Sequence, residues 1–143
     1  MTQAERVRVL EALIRQGLGD GERDHEALEV LADMFEELGH STAAAGVRYY
    51  LRPKRSRGGV DERVLELTLR RVLEIEREIF RGRRWLLVEY NVWSEREKPV
   101  RAYSAQRSAL LAVARLENSI SVAIREGRLH EPSVTYYVRY ADR

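Results

Sequence analysis

The chain has 143 residues, about the size of one domain, and its 44% hydrophobic and 34% charged residues exclude disorder of the whole chain. No apolar run approaches the ~20 residues of a membrane span, and the first segment alternates charged and apolar residues where a signal peptide would be continuously apolar. With zero cysteines, disulfides, thiolate nucleophiles and cysteine-ligated metals are excluded. We expect a cytoplasmic protein folded as a single domain over residues 1–143.

The net charge of +2 conceals an uneven distribution along the chain. Residues 1–37 contain ten acids and four arginines, whereas the remainder contains 21 bases and 13 acids. Of the 25 basic residues 23 are arginine, which suits bidentate contacts with phosphate or carboxylate, although a genome rich in G and C produces the same bias. The chain therefore has an acidic beginning and a basic remainder.

The first part of the chain has the periodicity of amphipathic helices. Thr2 followed by Glu5 forms a capping-box pattern that starts a first helix, and Gly17 ends its apolar repeat. Asp24 can cap a second helix, which ends at Gly39. These patterns predict a helical hairpin.

Two further helices are predicted on either side of a basic loop. Ser41 can cap a third helix that stops near Arg52 because Pro53 disfavours helical conformation in the residue before it. Residues 53–60 contain proline and paired glycine and predict an exposed loop. Asp61 then caps a long helix that Gly82 ends, so residues 1–52 form helical hairpins and 61–82 a single helix.

After residue 82 the apolar period changes from helix to strand. Residues 85–93 alternate as a strand, 99–104 form a short antiparallel partner, and 133–140 alternate again after a helix over 104–127. The most apolar strand, 85–93, is expected in the middle of the sheet. We therefore predict an α+β fold in which a helical half of four helices packs with a three-stranded ββαβ unit over residues 83–143.

Aromatic residues are predicted to share one face of this sheet. The expected members of that face are Trp85, Trp93, Tyr103, Tyr137 and Arg139. The residues expected under the final helix are Val88, Tyr90, Tyr136 and Val138. An exposed aromatic face is typical of sheet-based RNA binders, whereas a face covered by the helical half would be core. The characteristic RNA-recognition strand motif is absent.

Residues 28–51 resemble a known bacterial family. A helix that contains Leu31, Ala32, Asp33, Glu36 and Glu37 is followed by Gly39 and an alanine-rich helix with Ala43–Ala45 and Arg48. This is similar to the repeat-companion domain, whose helix reads roughly L-A-D-W-L-E-E; Met34 stands here in place of tryptophan. The resemblance implies a helical hairpin with a binding or accessory role and no catalysis.

Two acid-free segments carry the main functional hypothesis. The first contains Arg48, Arg52, Lys54, Arg55 and Arg57, with Tyr49 and Tyr50 among them, and the second contains Arg81, Arg83 and Arg84 followed by Trp85. Cations neutralise phosphates, and aromatic rings such as those of Tyr49, Tyr50, Trp85 and Trp93 stack on unpaired bases, so this pattern favours nucleic-acid binding. A solvated loop and a positive helix end that complements the macrodipole explain the same residues.

Other chemistry finds no support in the sequence. The acids Asp20, Glu22 and Asp24 alternate as in a calcium loop, but the sixth position is His25 instead of glycine and the twelfth is Leu31 instead of glutamate. The three histidines have no paired-ligand spacing, and motifs for a nucleophile elbow or a phosphate loop are absent. We predict no metal site, no cofactor and no enzymatic activity.

The sequence therefore predicts a small regulatory module that binds nucleic acid or a nucleoprotein complex through the basic loop. The alternative is a protein–protein adaptor or inhibitor, of the accessory or mobile-element type, that binds through the acidic N-terminal hairpin or a sheet edge. The last strand is the less protected of the two sheet edges. If the chain self-associates or adds a strand to a partner's sheet, we expect it to do so through Val134 to Tyr140, and Thr135→Pro should break that association.

Overall fold

The computed structural model describes residues 1–19, 23–53 and 59–143. Its elements are α1 (Gln3–Gly17), α2 (His25–Glu37), α3 (Ser41–Leu51), α4 (Gly59–Phe80), β1 (Trp85–Asn91), β2 (Arg96–Tyr103), α5 (Gln106–Arg125) and β3 (Val134–Tyr140). The α+β class is confirmed, with five helices and a three-stranded antiparallel sheet in these ranges. None of the described helices combines the length and apolar character needed to cross a bilayer.

The predicted caps of α1 and α2 are present. The Thr2 hydroxyl accepts from the Glu5 N–H at 3.2 Å, and the Thr2 N–H donates to the Glu5 carboxylate at 3.1 Å, which completes the capping box. The Asp24 carboxylate accepts from the Ala27 N–H at 3.1 Å. Gly17 is buried where α1 meets α2, and a Cβ atom there would lie 2.8 Å from Leu28, so glycine permits the close approach of the two helices.

The caps predicted for α3 and α4 are wrong. Helix α4 begins at Gly59, so Asp61 lies in its first turn and does not cap it. Ser41 is the first helical residue, and His40 precedes it without a side-chain cap. The Ser41 hydroxyl instead accepts from the Glu97 N–H of β2 at 2.7 Å. The local sequence does not predict this, because the hydroxyl of Ser41 bonds to a strand edge that is distant in sequence.

Helices α1 to α4 enclose the larger of two hydrophobic cores. Its fully buried members include Leu10, Leu28, Leu31, Phe35, Val47 and Leu69. A second core lies where Ile75 and Ile79 of α4 meet Leu86 and Val88 of β1. Because α4 contributes to both cores, it connects the helical half to the sheet.

The strand order is β2-β1-β3, so the predicted central position of the first strand is confirmed. Trp85 pairs with Tyr140, and Val88 pairs with Tyr137. The predicted grouping of β1 and β3 residues on the two faces is therefore wrong, because a one-residue difference in register exchanges the faces. Val88 and Tyr90, predicted under the final helix, lie instead on the face that α4 covers. Tyr137 packs with Val88 on the face that the helical half covers, and the even-numbered residues of β3 share the face of Trp85.

The final helix, α5, packs against β1 and β3 on the other face of the sheet. Leu87 of β1 is buried on this face, and Ala109 is the only buried residue of α5. Leu110 and Leu111 remain half exposed. The α5 side of the sheet is thus covered far less completely than the α4 side.

A buried polar cluster joins the helical half to the end of the chain. The Glu76 carboxylate of α4 is fully buried and lies 3.0 Å from the Nε2 atom of His40, which is 2% exposed. The Arg143 guanidinium donates both to this carboxylate and to the carbonyl of Leu38. The backbone carbonyl of Glu76 accepts from the side chain of Gln3 at 3.1 Å. This cluster fixes the start of α3 and the position of the last residues after β3.

Charge within this cluster follows from burial and pairing. Burial lowers the pKa of His40, against the opposing effect of Glu76 and with the nearby guanidinium of Arg143 adding to it. Burial alone would raise the pKa of Glu76, but the hydrogen bonds and charges of its two partners bring it below the ordinary value. We therefore assign an ionised Glu76 that accepts hydrogen bonds from a neutral His40 and a cationic Arg143.

Candidate nucleic-acid interface

The turn between β1 and β2 displays the most exposed aromatic residue among the described parts of the chain. The Asn91 side-chain oxygen accepts from the backbone N–H groups of Trp93 at 2.9 Å and Ser94 at 3.0 Å. The Val92 N–H donates to the carbonyl of Ser133 at 3.0 Å, which ties the turn to the start of β3. The turn is braced on both sides, yet the Trp93 side chain is 76% exposed. Its indole is held outward by a structured backbone.

A cleft of about 300 Å³ separates this hairpin from α3. Its α3 wall is formed by Thr42, Ala45, Gly46 and Tyr49, and its hairpin wall by Glu89, Asn91, Ser94 and Arg96. The α3 residues recur at intervals of three or four and therefore lie on one side of the helix. The small side chains of Ala45 and Gly46 leave the cleft open on this side. A Cβ atom at Gly46 would have no neighbour within 4 Å.

Tyr49 and Arg96 give this cleft an aromatic and cationic character. Tyr49 is 53% exposed, and the guanidinium carbon of Arg52 lies 5.8 Å from the centre of its ring, within range of a cation–π contact. Arg96 is exposed and has no ion-pair partner among the described residues. Glu89 is the acid of the lining, and the Tyr136 hydroxyl lies 3.3 Å from its carboxylate. We call the cleft with its lining residues Tyr49 and Arg96, together with Arg52 beside Tyr49 and Trp93 beside Ser94, the Tyr49–Trp93 surface.

The remaining residues of the first acid-free segment differ in their availability. Arg48 is exposed and bridges Asp33 at 3.1 Å and Glu36 at 3.4 Å; exposed pairs of this kind stabilise a protein by at most ~1 kcal/mol, so a phosphate can compete for the guanidinium. Tyr50 is buried, and its hydroxyl donates to Glu62 at 2.7 Å. Its ring face is therefore not available to a base.

Three predicted contact residues, Lys54, Arg55 and Arg57, lie outside the described residues. They follow directly on Arg52 in the sequence. The hypothesis that they bind phosphate stays a prediction.

In the second acid-free segment, Arg81 and Arg83 form exposed ion pairs for which a phosphate can compete as it can at Arg48, and Arg84 bonds to the backbone. Arg81 and Arg83 lie 3.0 and 2.9 Å from the carboxylate of Glu78, and Arg84 donates to the carbonyl of Arg143 at 2.5 Å. The 22 residues of α4 correspond to about 33 Å of helix and separate this segment from the basic loop. The structure therefore does not bring the two segments together.

Trp85 differs from Trp93 in the same way. Its ring meets that of Tyr140 edge-on, with 5.0 Å between centroids, and it is only partly exposed. This packing offers a base much less of the ring than Trp93 does.

Sequence reasoning missed the residues that build the cleft. Arg96 and Asn91 were assigned to a turn and a strand, and no local signal distinguishes an asparagine that braces a turn from one that lies in a strand. The helical spacing of Thr42, Ala45 and Tyr49 is visible in the sequence, but its orientation toward the hairpin depends on the Ser41–Glu97 contact.

Comparison of the chain with protein-family profiles, curated proteins and solved structures finds no match. The resemblance of residues 28–51 to the repeat-companion domain stays a prediction, since any amphipathic helical hairpin can have this spacing. Among the described residues, no three acids or histidines are grouped as metal ligands would be. The proposal for function therefore depends on the geometry of the surface alone.

Proposed function

We propose that this chain is a small, non-enzymatic module that binds single-stranded nucleic acid, free or within a nucleoprotein complex, through the Tyr49–Trp93 surface. The observation that carries the proposal is the 76% exposure of Trp93 on a hydrogen-bonded turn. A single exposed apolar residue is ordinary on a protein surface. Here, however, Trp93 lies between Asn91 and Ser94, which line a cleft that also contains the exposed residues Tyr49 and Arg96.

Stacking supplies the physical basis for a preference for single strands. Each base that stacks on an aromatic side chain contributes about 1–3 kcal/mol, and any base can do so because all bases have a π-face. In a duplex these faces are covered by neighbouring base pairs. Since the turn is already ordered by Asn91, little conformational entropy is lost when Trp93 binds.

The cations around the surface suit the backbone of such a strand. Arg96 lies on the hairpin wall and Arg52 beside the ring of Tyr49. Residues 54–57 add three cations directly after Arg52 in the sequence. Phosphate neutralisation by these groups would release counterions and make binding depend strongly on salt.

The alternative, a protein–protein adaptor, receives different support at its two predicted surfaces. On the acidic hairpin, Asp33 and Glu36 already bridge Arg48, which weakens the case for that surface. The sheet edge formed by β3 is favoured because its outward backbone groups have no partner among the described residues.

The test measures fluorescence anisotropy of labelled single strands, with a duplex of the same sequence as the matched ligand. We expect the single strand to bind more tightly than the duplex at equal salt, with a linear fall of log affinity against log salt. Equal affinity for the two ligands would contradict stacking, and undetectable binding at low salt would contradict nucleic-acid binding altogether.

A further inference from the structure

The two edges of the sheet are treated differently by the fold. At β2, the outward N–H of Glu97 donates to the Ser41 hydroxyl at 2.7 Å, and its carbonyl lies 3.4 Å from the same oxygen. Two residues further on, Pro99 has no N–H to offer. A capped residue and a proline are devices that keep a strand edge from pairing with another strand.

The opposite edge, β3, has no such device. Glu97 is paired with Tyr90, and because the backbone groups of Glu97 point away from β1, those of Tyr90 point away from β2 and toward β3. Tyr90 and its partner on β3, Thr135, therefore form a hydrogen-bonded pair. The hydrogen bond from the Val92 N–H to the Ser133 carbonyl agrees with this assignment, because each of these residues lies two positions from Tyr90 or Thr135. The outward backbone groups of β3 are then those of its even-numbered residues, Val134, Tyr136, Val138 and Tyr140. Among the described residues, none donates to or accepts from these groups.

The surroundings of β3 leave room for another strand. The helices α3 and α4 pack against β2, and α5 packs on the other face of the sheet. Exposed apolar side chains of α5, among them Leu110 and Leu111, lie above the sheet on that side.

We propose that the occupant of this edge is a second copy of the chain, whose β3 pairs antiparallel with the first to make one continuous sheet. A two-fold axis perpendicular to the sheet near Tyr137 places Tyr136 opposite the partner's Val138, and both residues have outward backbone groups. Arg139 then lies opposite the partner's Thr135, so no like charges face each other across the pair. The same axis places both α5 helices on one face of the continuous sheet. Closed two-fold assembly satisfies both edges at once.

The hydrogen-bond pattern of β3 shows that Thr135→Pro, the variant predicted from sequence, is not suitable for testing this edge. The N–H of Thr135 points to β1, so Thr135→Pro would break the sheet itself. Val138→Pro removes an outward donor and keeps the ladder to β1. Thr135→Lys keeps every backbone bond and places a charge opposite the partner's Arg139, and Thr135→Val is its matched neutral control.

Sedimentation of the full chain over a range of concentrations provides the test. The wild type and Thr135→Val should approach twice the 16.6 kDa of one chain, whereas Thr135→Lys and Val138→Pro should dissociate at least about tenfold more readily. Circular dichroism checks that each variant is folded, and if Val138→Pro is not, Thr135→Lys decides alone. A wild type that stays monomeric overturns the proposal, and the edge would then be open to a strand of another protein. A Thr135→Lys protein as dimeric as the wild type also overturns it.

Hydrogen exchange gives a residue-level readout of the same edge. The amides of Thr135, Tyr137 and Arg139 should be protected at every concentration because they bond to β1. Those of Tyr136 and Val138 should become protected only as the protein associates. Protection of all five at high dilution would contradict an open edge.

Discussion

Trp85 begins the central strand β1 and Trp93 follows its end, and both lie near arginines. The Trp85 ring is packed against the protein, whereas the Trp93 ring is exposed. Trp85 packs edge-on against Tyr140, and the arginines before it bond to Glu78 and to the carbonyl of Arg143. Trp93 stands exposed on its turn, near a cleft that contains Tyr49 and Arg96. The indole ring is thus packed against the protein at the Trp85 end of β1 and is available for binding at the Trp93 end.

The difference between the two tryptophans originates in the residues that pack next to each end of β1. The Trp85 end adjoins the polar cluster of Glu76, His40 and Arg143, which holds the last residues of the chain against α4. The Trp93 end faces Thr42, Ala45, Gly46 and Tyr49 of α3 across an open cleft. Substitutions at the Trp85 end should therefore lower stability and leave binding unchanged. Substitutions at the Trp93 end should weaken binding and leave stability unchanged.

The largest effect is expected for Glu76→Gln. The amide keeps the shape of the side chain but leaves the guanidinium of Arg143 buried without its counter-charge, which costs about 3–5 kcal/mol of unfolding free energy. Urea unfolding followed by circular dichroism measures this loss. Glu74→Gln, at an exposed position of the same helix, should change stability by less than ~0.5 kcal/mol. Equal losses in the two variants would contradict the role of the cluster.

Serine at Arg52, Lys54, Arg55 and Arg57 should weaken nucleic-acid binding most strongly. The slope of log affinity against log salt should decrease in magnitude by about 3, since each phosphate contact on a single strand contributes roughly 0.7. The matched control substitutes four exposed arginines elsewhere, Arg8, Arg15, Arg70 and Arg107. Both proteins carry the same net charge, so a similar loss in the control would show that binding follows overall charge and not this surface.

Trp93→Ala should remove about 1–3 kcal/mol of single-strand binding and leave the melting temperature nearly unchanged, because its side chain stacks on a base and not on the protein. Trp93→Phe should retain most of the affinity. Trp85→Ala, by contrast, should lower stability through the lost contact with Tyr140. The comparison fails if Trp93→Ala is the more destabilising of the two.

Acid should destabilise the protein through His40. Its pKa in the folded state lies below the ordinary 6.5, so the unfolded chain takes up a proton more readily and stability falls as the pH decreases through about 6.5. The lowered pKa of Glu76 adds to the loss at still lower pH. Urea midpoints over this range measure the effect. His40→Gln should flatten the dependence, whereas His130→Gln, at an exposed site, should leave it intact.

Gly46→Ala should give the smallest change, a gain of about 0.5–1 kcal/mol. Glycine in a helix interior costs this much relative to alanine, and the added Cβ atom meets nothing within 4 Å. Gly39→Ala is the contrasting variant, since Gly39 has φ +84° and lies against the guanidinium of Arg139; it should lose stability. Thermal melts distinguish a gain from a loss.

Local patterns predicted the elements of this fold well. The capping box at Thr2, the cap at Asp24 and the alternation of residues 85–91 depend on neighbours in the chain, so the sequence carries their signals directly. The central position of β1 followed from its apolar character. Errors arose where a distant partner decides, as when the Ser41 hydroxyl bonds to Glu97 instead of capping α3.

The candidate site was predictable only in part. Tyr49, Arg52 and Trp93 were named from composition, but Arg96 and the cleft arise from the packing of α3 against a hairpin almost fifty residues away in the sequence. The same limit applies to Arg84 and Trp85, which contact the carbonyl of Arg143 and the ring of Tyr140, residues that are distant in sequence. Charge patterns identify which residues can bind, and only the tertiary partners show which of them remain available.

The central claim is that bases contact Trp93 directly. Trp85→Phe leaves Trp93 as the single tryptophan of the chain, so its fluorescence can be followed while a single-stranded oligonucleotide is added and anisotropy reports binding. Stacking predicts quenching that saturates with the anisotropy and a weaker response with the matching duplex. Binding that leaves the Trp93 fluorescence unchanged would contradict the account.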